Sequence, residues 1–195
     1  MSGTDKVSII GGAGFLGSRV SRRLKNNRIN FEIFDLNHKD SQNITTLDIE
    51  NYDSLQSISS TNCIINLAAV HRDDIRPLSR YDDVNIQGSV NVCNAAREYG
   101  INKIIFTSSV AIYGFAPANT DESGEPNYFN DYGRTKYHAE QVYKEWQAED
   151  IENRTLVIIR PTVIFGEGNR GNVYNLLKQI ALGRFVMFGS GKNRK

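Results

Sequence analysis

The stretch Val7-Ser8-Ile9-Ile10-Gly11-Gly12-Ala13-Gly14-Phe15-Leu16-Gly17 decides the fold. It opens with a short run rich in β-branched residues, which predicts a strand. The run stops at Gly11-Gly12. Beyond it Phe15, Leu16, Val20 and Leu24 recur at helical spacing. Gly12, Gly14 and Gly17 satisfy G-x-G-x-x-G, and Gly11, Gly14 and Gly17 satisfy G-x-x-G-x-x-G. Such glycines carry information only between a strand and a helix, which is where these lie. Small residues let the backbone come close to a pyrophosphate, and a helix N-terminus offers free N–H groups and a positive dipole end.

Outward from this turn, strand and helix periods alternate. Phe31-Glu32-Ile33-Phe34 reads as a second strand ending at Asp35. Further strands are expected over 44–49, 63–67, 103–107 and 155–159, the last stopped by Arg160-Pro161. Helices are expected over 79–99, closed by Gly100, and over 131–149. Apolar strands separated by helices predict an α/β, doubly wound parallel sheet of the Rossmann type, with helices on both faces. Its ligand belongs outside the carboxyl ends of the strands. Residues 116–130, with Pro117 and Pro126, read as a surface loop over that edge. After Gly166 the pattern changes to a glycine loop, a helix over 173–182 and a short strand over 185–188. Residues 1–165 are therefore read as the dinucleotide-binding domain. Residues 166–195 are read as a separate region that follows it.

Composition excludes other classes. Of 195 residues, 23 are Lys or Arg and 22 are Asp or Glu, giving a net charge of +1. One-sided charge of the kind that drives nucleic-acid or membrane-surface binding is absent. An apolar fraction of 39% with 23% charged residues is that of a globular chain. No apolar stretch approaches the ~18 residues that span a bilayer. Met1 to Lys6 carries no secretory pattern. Cys63 and Cys93 make no disulfide framework, read as buried fillers, and suit the reducing cytoplasm. His38, His71 and His138 show no metal-ligand spacing with either cysteine, so no metal site is expected. The basic run Arg19, Arg22, Arg23, Lys25 and Arg28 reads as a solvated helix face.

Three sets of residues carry chemistry. Asp35 lies 21 residues after Gly14. A carboxylate there can accept both hydroxyls of an adenosine ribose and would repel a 2′-phosphate, which favours NAD over NADP. Lys39 keeps NADP open. Tyr132 and Lys136 lie at i, i+4 on one helix face. A nearby ammonium favours the phenolate, so the pair is a candidate general acid/base in which Lys136 lowers the Tyr132 pKa. Ser109 leaves a strand at the carboxyl edge, 23 residues before Tyr132. Its hydroxyl could bond a substrate oxygen whose proton the tyrosine transfers. His71 could contact substrate or a cofactor phosphate, and Arg170 and Asn172 could reach a diphosphate.

In these motifs the sequence resembles the extended short-chain dehydrogenase/reductase superfamily, and within it the NAD-dependent nucleotide-sugar epimerase/dehydratase family. The motifs are Gly11-x-x-Gly14-x-x-Gly17, Asp35, Asp48-Ile49, Asn66-Leu67-Ala68-Ala69, Asn85-x-x-Gly88, Ser108-Ser109 with Tyr113-Gly114, Tyr132-x-x-x-Lys136 and Arg160-Pro161. The resemblance implies that the backbone of Phe15 and Leu16 holds the pyrophosphate, Asp35 the adenosine ribose, and Asp48 with Ile49 the adenine. Leu67, Ala68 and Ala69 would line the dinucleotide, and Asn85 would order the helix beside it. Ser109 and Tyr132 would address the sugar hydroxyl, Lys136 would hold the nicotinamide ribose, and Pro161 would sit near the nicotinamide. It also implies a homodimer in which the helices over 79–99 and 131–149 pair across a two-fold axis. Val84, Val92 and Ala96 on one helix, and Tyr137, Val142 and Trp146 on the other, are the expected faces.

Three departures bear on this. Family members are usually much longer, so the resemblance implies that residues 166–195 are the start of an incomplete substrate-binding region and that the C-terminal substrate domain is truncated. Ile10 stands where the family usually has threonine or serine, costing the turn one hydrogen bond. Val110 and Ala111 follow Ser109 where the family's dehydratases carry an acidic pair. Neither can titrate, which weighs against elimination of water. The reading is therefore an NAD-dependent nucleotide-sugar epimerase acting by transient oxidation at C4. A nucleotide-sugar 4-ketoreductase or dehydrogenase would use the same residues, and a non-catalytic dinucleotide-binding module would use none of them catalytically. The chain as given is expected to bind NAD but to turn over sugars poorly.

Overall fold

A computed structural model describes residues 5–36, 43–72, 74–187 and 189. Six strands form one parallel sheet: β1 (Lys6–Ile10), β2 (Asn30–Asp35), β3 (Ile44–Thr46), β4 (Cys63–Asn66), β5 (Lys103–Thr107) and β6 (Thr155–Ile159). Their order is β3-β2-β1-β4-β5-β6. The chain starts in the middle, builds outward to β3, and then crosses back to place β4 on the other side of β1. The switch point, where a doubly wound sheet opens a crevice, lies between β1 and β4.

Register explains how both faces are filled. Val7 and Ile9 lie beside Cys63 and Ile65, while Ile10 lies beside Asn66. One face packs Val7, Ile9, Cys63 and Ile65 against Val20 and Leu24 of α1 (Phe15–Asn26). The other packs Ile10, Phe34, Ile64, Ile104 and Phe106 against α3 (Gly88–Glu98) and α4 (Asp131–Ala148). Both cysteines are free and buried. Burial raises both thiols, Cys93 to about 12, as fillers require.

The helix expected over 79–99 is not uniform. Its first turn is α2 (Ser79–Tyr81), followed by a π-helical turn over Asp82–Gln87 and then α3. The widened turn carries Asn85 inward and Asp82 toward α4. Arg134 grips Asp82 with two bonds of 2.8 and 2.7 Å. Alternation of polar residues hid this from periodicity. The expected dimer faces are also revised. Val84, Val92, Ala96 and Trp146 are buried in the chain's own core, and Val142 packs against it. They are spent on the sheet and are not free to face a second copy. The 3₁₀ turns Tyr52–Ile58 and Val110–Tyr113 follow no sequence period that was read.

Beyond β6 lies α5 (Asn172–Ala181), near its expected position. Residues 185–187 form no strand, and no strand among the described residues pairs with them. Phe188 lies outside the described residues. No described helix is long and apolar enough to cross a membrane.

Candidate functional site: a dinucleotide cleft at the switch point

The glycine turn is held by close packing. A Cβ on Gly17 would sit 2.4 Å from the Gly12 backbone, and Gly11, at φ +76°, would drive one to 2.7 Å from the Ala68 nitrogen. Ile10 cannot supply the side-chain bond that threonine or serine would. Instead the Phe34 carbonyl accepts from Gly11 and Gly12 at 2.8 and 3.0 Å. Gly14 is the N-cap of α1, no side chain caps that helix, and its first turn contains no acidic residue. The N-terminus of α1 is thus left to an anion.

A cleft of about 690 Å³ runs from this turn along the carboxyl edge. Its wall contains Gly11, Gly14, Phe15, Leu16, Gly17, Asp35, Asp48, Ile49, Leu67, Ala68, Ala69, His71, Ser109, Tyr132, Lys136 and Pro161, all expected from sequence. Asp35 accepts a bond from the Ala13 nitrogen at 3.0 Å, which fixes its carboxylate beside the turn. Lys39 and His38 lie outside the described residues.

Three expected site residues are placed differently. Asn85 is buried and does not line the cleft. Its amide bonds the Val70 nitrogen at 2.9 Å, the Val70 carbonyl at 3.0 Å and Thr135 at 2.9 Å. It fixes the loop after β4 to α4 and so acts through Val70. Arg170 lines neither this cleft nor its neighbour. Asn172 opens α5 and lines a second hollow of about 450 Å³, which shares Thr162, Ile164, Asn169 and Gly171 with the first.

At the far end of the cleft stand Ser109, Tyr132 and Lys136. Asn130 caps α4 by accepting from the Gly133 nitrogen at 2.8 Å, which sets the turn that presents Tyr132. Ser109 caps the following 3₁₀ turn, accepting from the Ala111 nitrogen at 3.1 Å. Lys136 is 2% exposed, with Nζ 4.4 Å from the centre of the Phe106 ring. Burial pushes its ammonium down to about 7, with the Glu140 charge acting the other way. Glu140 is fully buried and is paired by Arg160 through bonds of 2.9 and 2.6 Å. Arg160 also donates to the Tyr113 hydroxyl and, at 3.0 Å, to the Glu122 carbonyl. That network ties the end of β6, beside Pro161, to α4 and to the loop over the edge.

The structure does not show the expected lowering of Tyr132. Burial raises its phenol, and only the Ser109 hydroxyl opposes this. The physical reason is the state of Lys136. An amine whose pKa falls to about 7 is charged only part of the time at neutral pH, so it offers the phenolate little.

Sequence reading left several polar residues of this wall without a role, among them Thr107, Ser108 and Arg80. Thr107 and Ser108 continue β5 toward Ser109, and Arg80 pairs with Glu50 at 2.5 Å. Ser108 stood within a quoted motif, but its burial is a tertiary fact.

The description "NAD dependent epimerase/dehydratase family" matches residues 7–195. The chain belongs to that family. Among curated relatives of this family member is the N-acetyl-alpha-D-glucosaminyl-diphospho-ditrans,octacis-undecaprenol 4-epimerase of Escherichia coli O157:H7. The two are 47% identical over 196 residues, which is 98% of this chain and 58% of that protein. Similar solved structures include UDP-glucose 4-epimerase from Brucella ovis in complex with NAD (TM-score 0.72, 24% identity, 80% of this chain and 51% of that one). UDP-N-acetylglucosamine 4-epimerase from Bacillus cereus is another (TM-score 0.79, 20% identity, 92% of this chain and 61% of that one). At these identities the structures support the fold, while the family match carries NAD dependence. The chain spans between half and two thirds of the length of each.

Proposed function

We propose that this protein is an NAD-dependent epimerase of a diphosphate-linked sugar, acting at C4. One observation carries the reading: the glycine turn, Asp35 and the Ser109–Tyr132–Lys136 group line a single continuous cleft. NAD fits the residues present. The uncapped α1 N-terminus suits its pyrophosphate through Phe15 and Leu16, and Asp35 suits the adenosine ribose. Asp48 and Ile49 flank the adenine position, while Leu67, Ala68, Ala69 and Pro161 form the wall. When bound, NAD supplies reversible hydride acceptance. Tyr132 moves the proton of the sugar hydroxyl, Ser109 orients that hydroxyl, and Lys136 holds the nicotinamide ribose. Residues 1–165 would hold the cofactor, and 166–195, with Asn172, would begin the sugar-diphosphate side. His71, exposed and in the cleft wall, would meet substrate.

On the family resemblance the carrier is a nucleotide, as in the UDP-sugar 4-epimerases. A polyprenyl diphosphate carrier is the second reading, favoured by the 47% identity to an enzyme named for such a substrate. The enzyme is further proposed to be a cytoplasmic homodimer, supported by the family resemblance and by Tyr137 and His138, half-buried on α4 beside Tyr128.

The test is conversion of UDP-N-acetylglucosamine and of its undecaprenyl-diphosphate counterpart, each followed for C4 inversion and for net NADH. Inversion without net NADH supports the epimerase, and net NADH supports a dehydrogenase. Tyr132→Phe should lower kcat by ~10²–10⁴ with NAD affinity unchanged. Near-normal turnover in that variant would make Tyr132 structural.

A further inference from the structure

We propose that the Ser108 hydroxyl is a hydrogen-bonding contact for the nicotinamide riboside half of the dinucleotide, separate from the role of Ser109. The inference rests on the NAD reading above and assigns a residue that reading leaves idle. Ser108 is 1% exposed, and its Oγ has no hydrogen-bond partner among the described residues. A buried hydroxyl left unpaired within the chain is a net cost to folding, so its presence asks for a partner from outside the chain. Ser108 is also a residue of the cleft wall, with its hydroxyl buried just behind that surface. The Trp146 indole N–H, also unpaired among the described residues, belongs to the core and is part of neither cleft described above.

Its neighbours fix which ligand atoms it would meet. The Ser108 N–H donates to the Ile159 carbonyl at 2.7 Å, so the residue is pinned between β5 and β6. Phe106, two residues earlier, carries the Lys136 amine over its ring. Pro161 stands on the adjoining strand end, its carbonyl accepting from the Val110 nitrogen at 3.2 Å. With the adenosine at Asp35 and the pyrophosphate at the α1 N-terminus, the cleft reaches Ser108 only at its opposite end. Ser109 is already engaged, its hydroxyl capping the 3₁₀ turn and facing Tyr132. The two adjacent serines therefore divide the work, Ser109 toward substrate and Ser108 toward cofactor.

Calorimetric titration of wild type and Ser108→Ala with NAD and with ADP tests this, together with melting of both ligand-free chains. ADP has the adenosine and pyrophosphate but no nicotinamide riboside. The expected result is NAD weakened about tenfold by the variant, the scale of one net hydrogen bond. ADP binding should stay within about twofold, and the ligand-free variant should melt at the same temperature or higher, because an unpaired hydroxyl has been removed. Unchanged NAD affinity overturns the proposal, as does an equal loss for NAD and ADP. A ligand-free variant that melts lower assigns Ser108 a structural role and overturns it too. Wild-type chain that binds ADP but gains nothing from the nicotinamide riboside overturns it directly. Wild type that binds neither ligand overturns the NAD reading itself, and this contact with it.

Discussion

α4 and α5 are both helices with apolar residues, yet they end in opposite environments. On α4, Ala139, Tyr143 and Trp146 are fully buried against the sheet and α3. On α5 no described residue is buried, and Leu176, Leu177 and Ile180 are 43%, 58% and 51% exposed. The difference teaches that an amphipathic pattern specifies a helix and a face, while burial needs a partner surface. α4 has β5 and β6 beneath it. α5 follows the sheet's last described strand and packs on little beyond its own loop. The same contrast runs through β6, where Leu156 and Ile158 pack on the core while Val157 and Ile159 on the other face stay 44% and 47% exposed.

The largest expected effect sharpens this contrast. Trp146→Ala should cost ~3–5 kcal/mol of unfolding free energy, the scale for truncating a buried aromatic. Urea denaturation would read it, and a loss under ~1 kcal/mol would mean that the α4 side is no tighter than the α5 side.

The next effect depends on pH. In the unfolded chain Lys136 keeps its proton up to about pH 10.4. In the fold burial lowers its pKa to about 7. The unfolded state therefore binds more protons between these values, and stability rises with pH across that window. Below pH 7 the full penalty of burying the charge applies. Lys136→Met should then stabilise the ligand-free chain by roughly 2–3 kcal/mol at pH 6, with the gain fading toward pH 10. A gain independent of pH would assign it to packing instead.

A smaller effect concerns the adenosine end. Asp35→Ala should weaken NAD by about tenfold, through loss of a charge-assisted bond worth ~1.5–3 kcal/mol at most. It should also narrow the preference for NAD over NADP, since the 2′-phosphate would no longer meet a carboxylate. Titration with both dinucleotides would show it, and an unaltered preference would move discrimination away from Asp35.

The smallest effect lies on α5. Leu177→Ala should change stability by no more than ~0.5 kcal/mol, as for exposed positions generally. A loss near that of Trp146→Ala would show that α5 is buried in solution, for example by self-association, which light scattering would reveal.

Local patterns were enough for much of this molecule. The strand–glycine–helix sequence at 7–17, the six apolar strands and the Tyr132-Lys136 spacing each follow from short-range periodicity or turn chemistry, which act within one element. They set the doubly wound sheet and therefore the edge at which a ligand sits. Only the tertiary structure decided what crosses between elements. It turned Asn85 from a cofactor neighbour into a brace for Val70, because its partners lie 15 residues earlier on another loop and 50 later on α4. It buried Val84, Val92, Ala96 and Trp146 inside one chain, where periodicity alone could not say which of two faces would be covered. It paired Glu140 with Arg160 across 20 residues, and raised Tyr132 where spacing to Lys136 predicted the reverse. Spacing gives distance along a helix, but desolvation is a property of everything packed around it, and that sum exists only once the chain is folded.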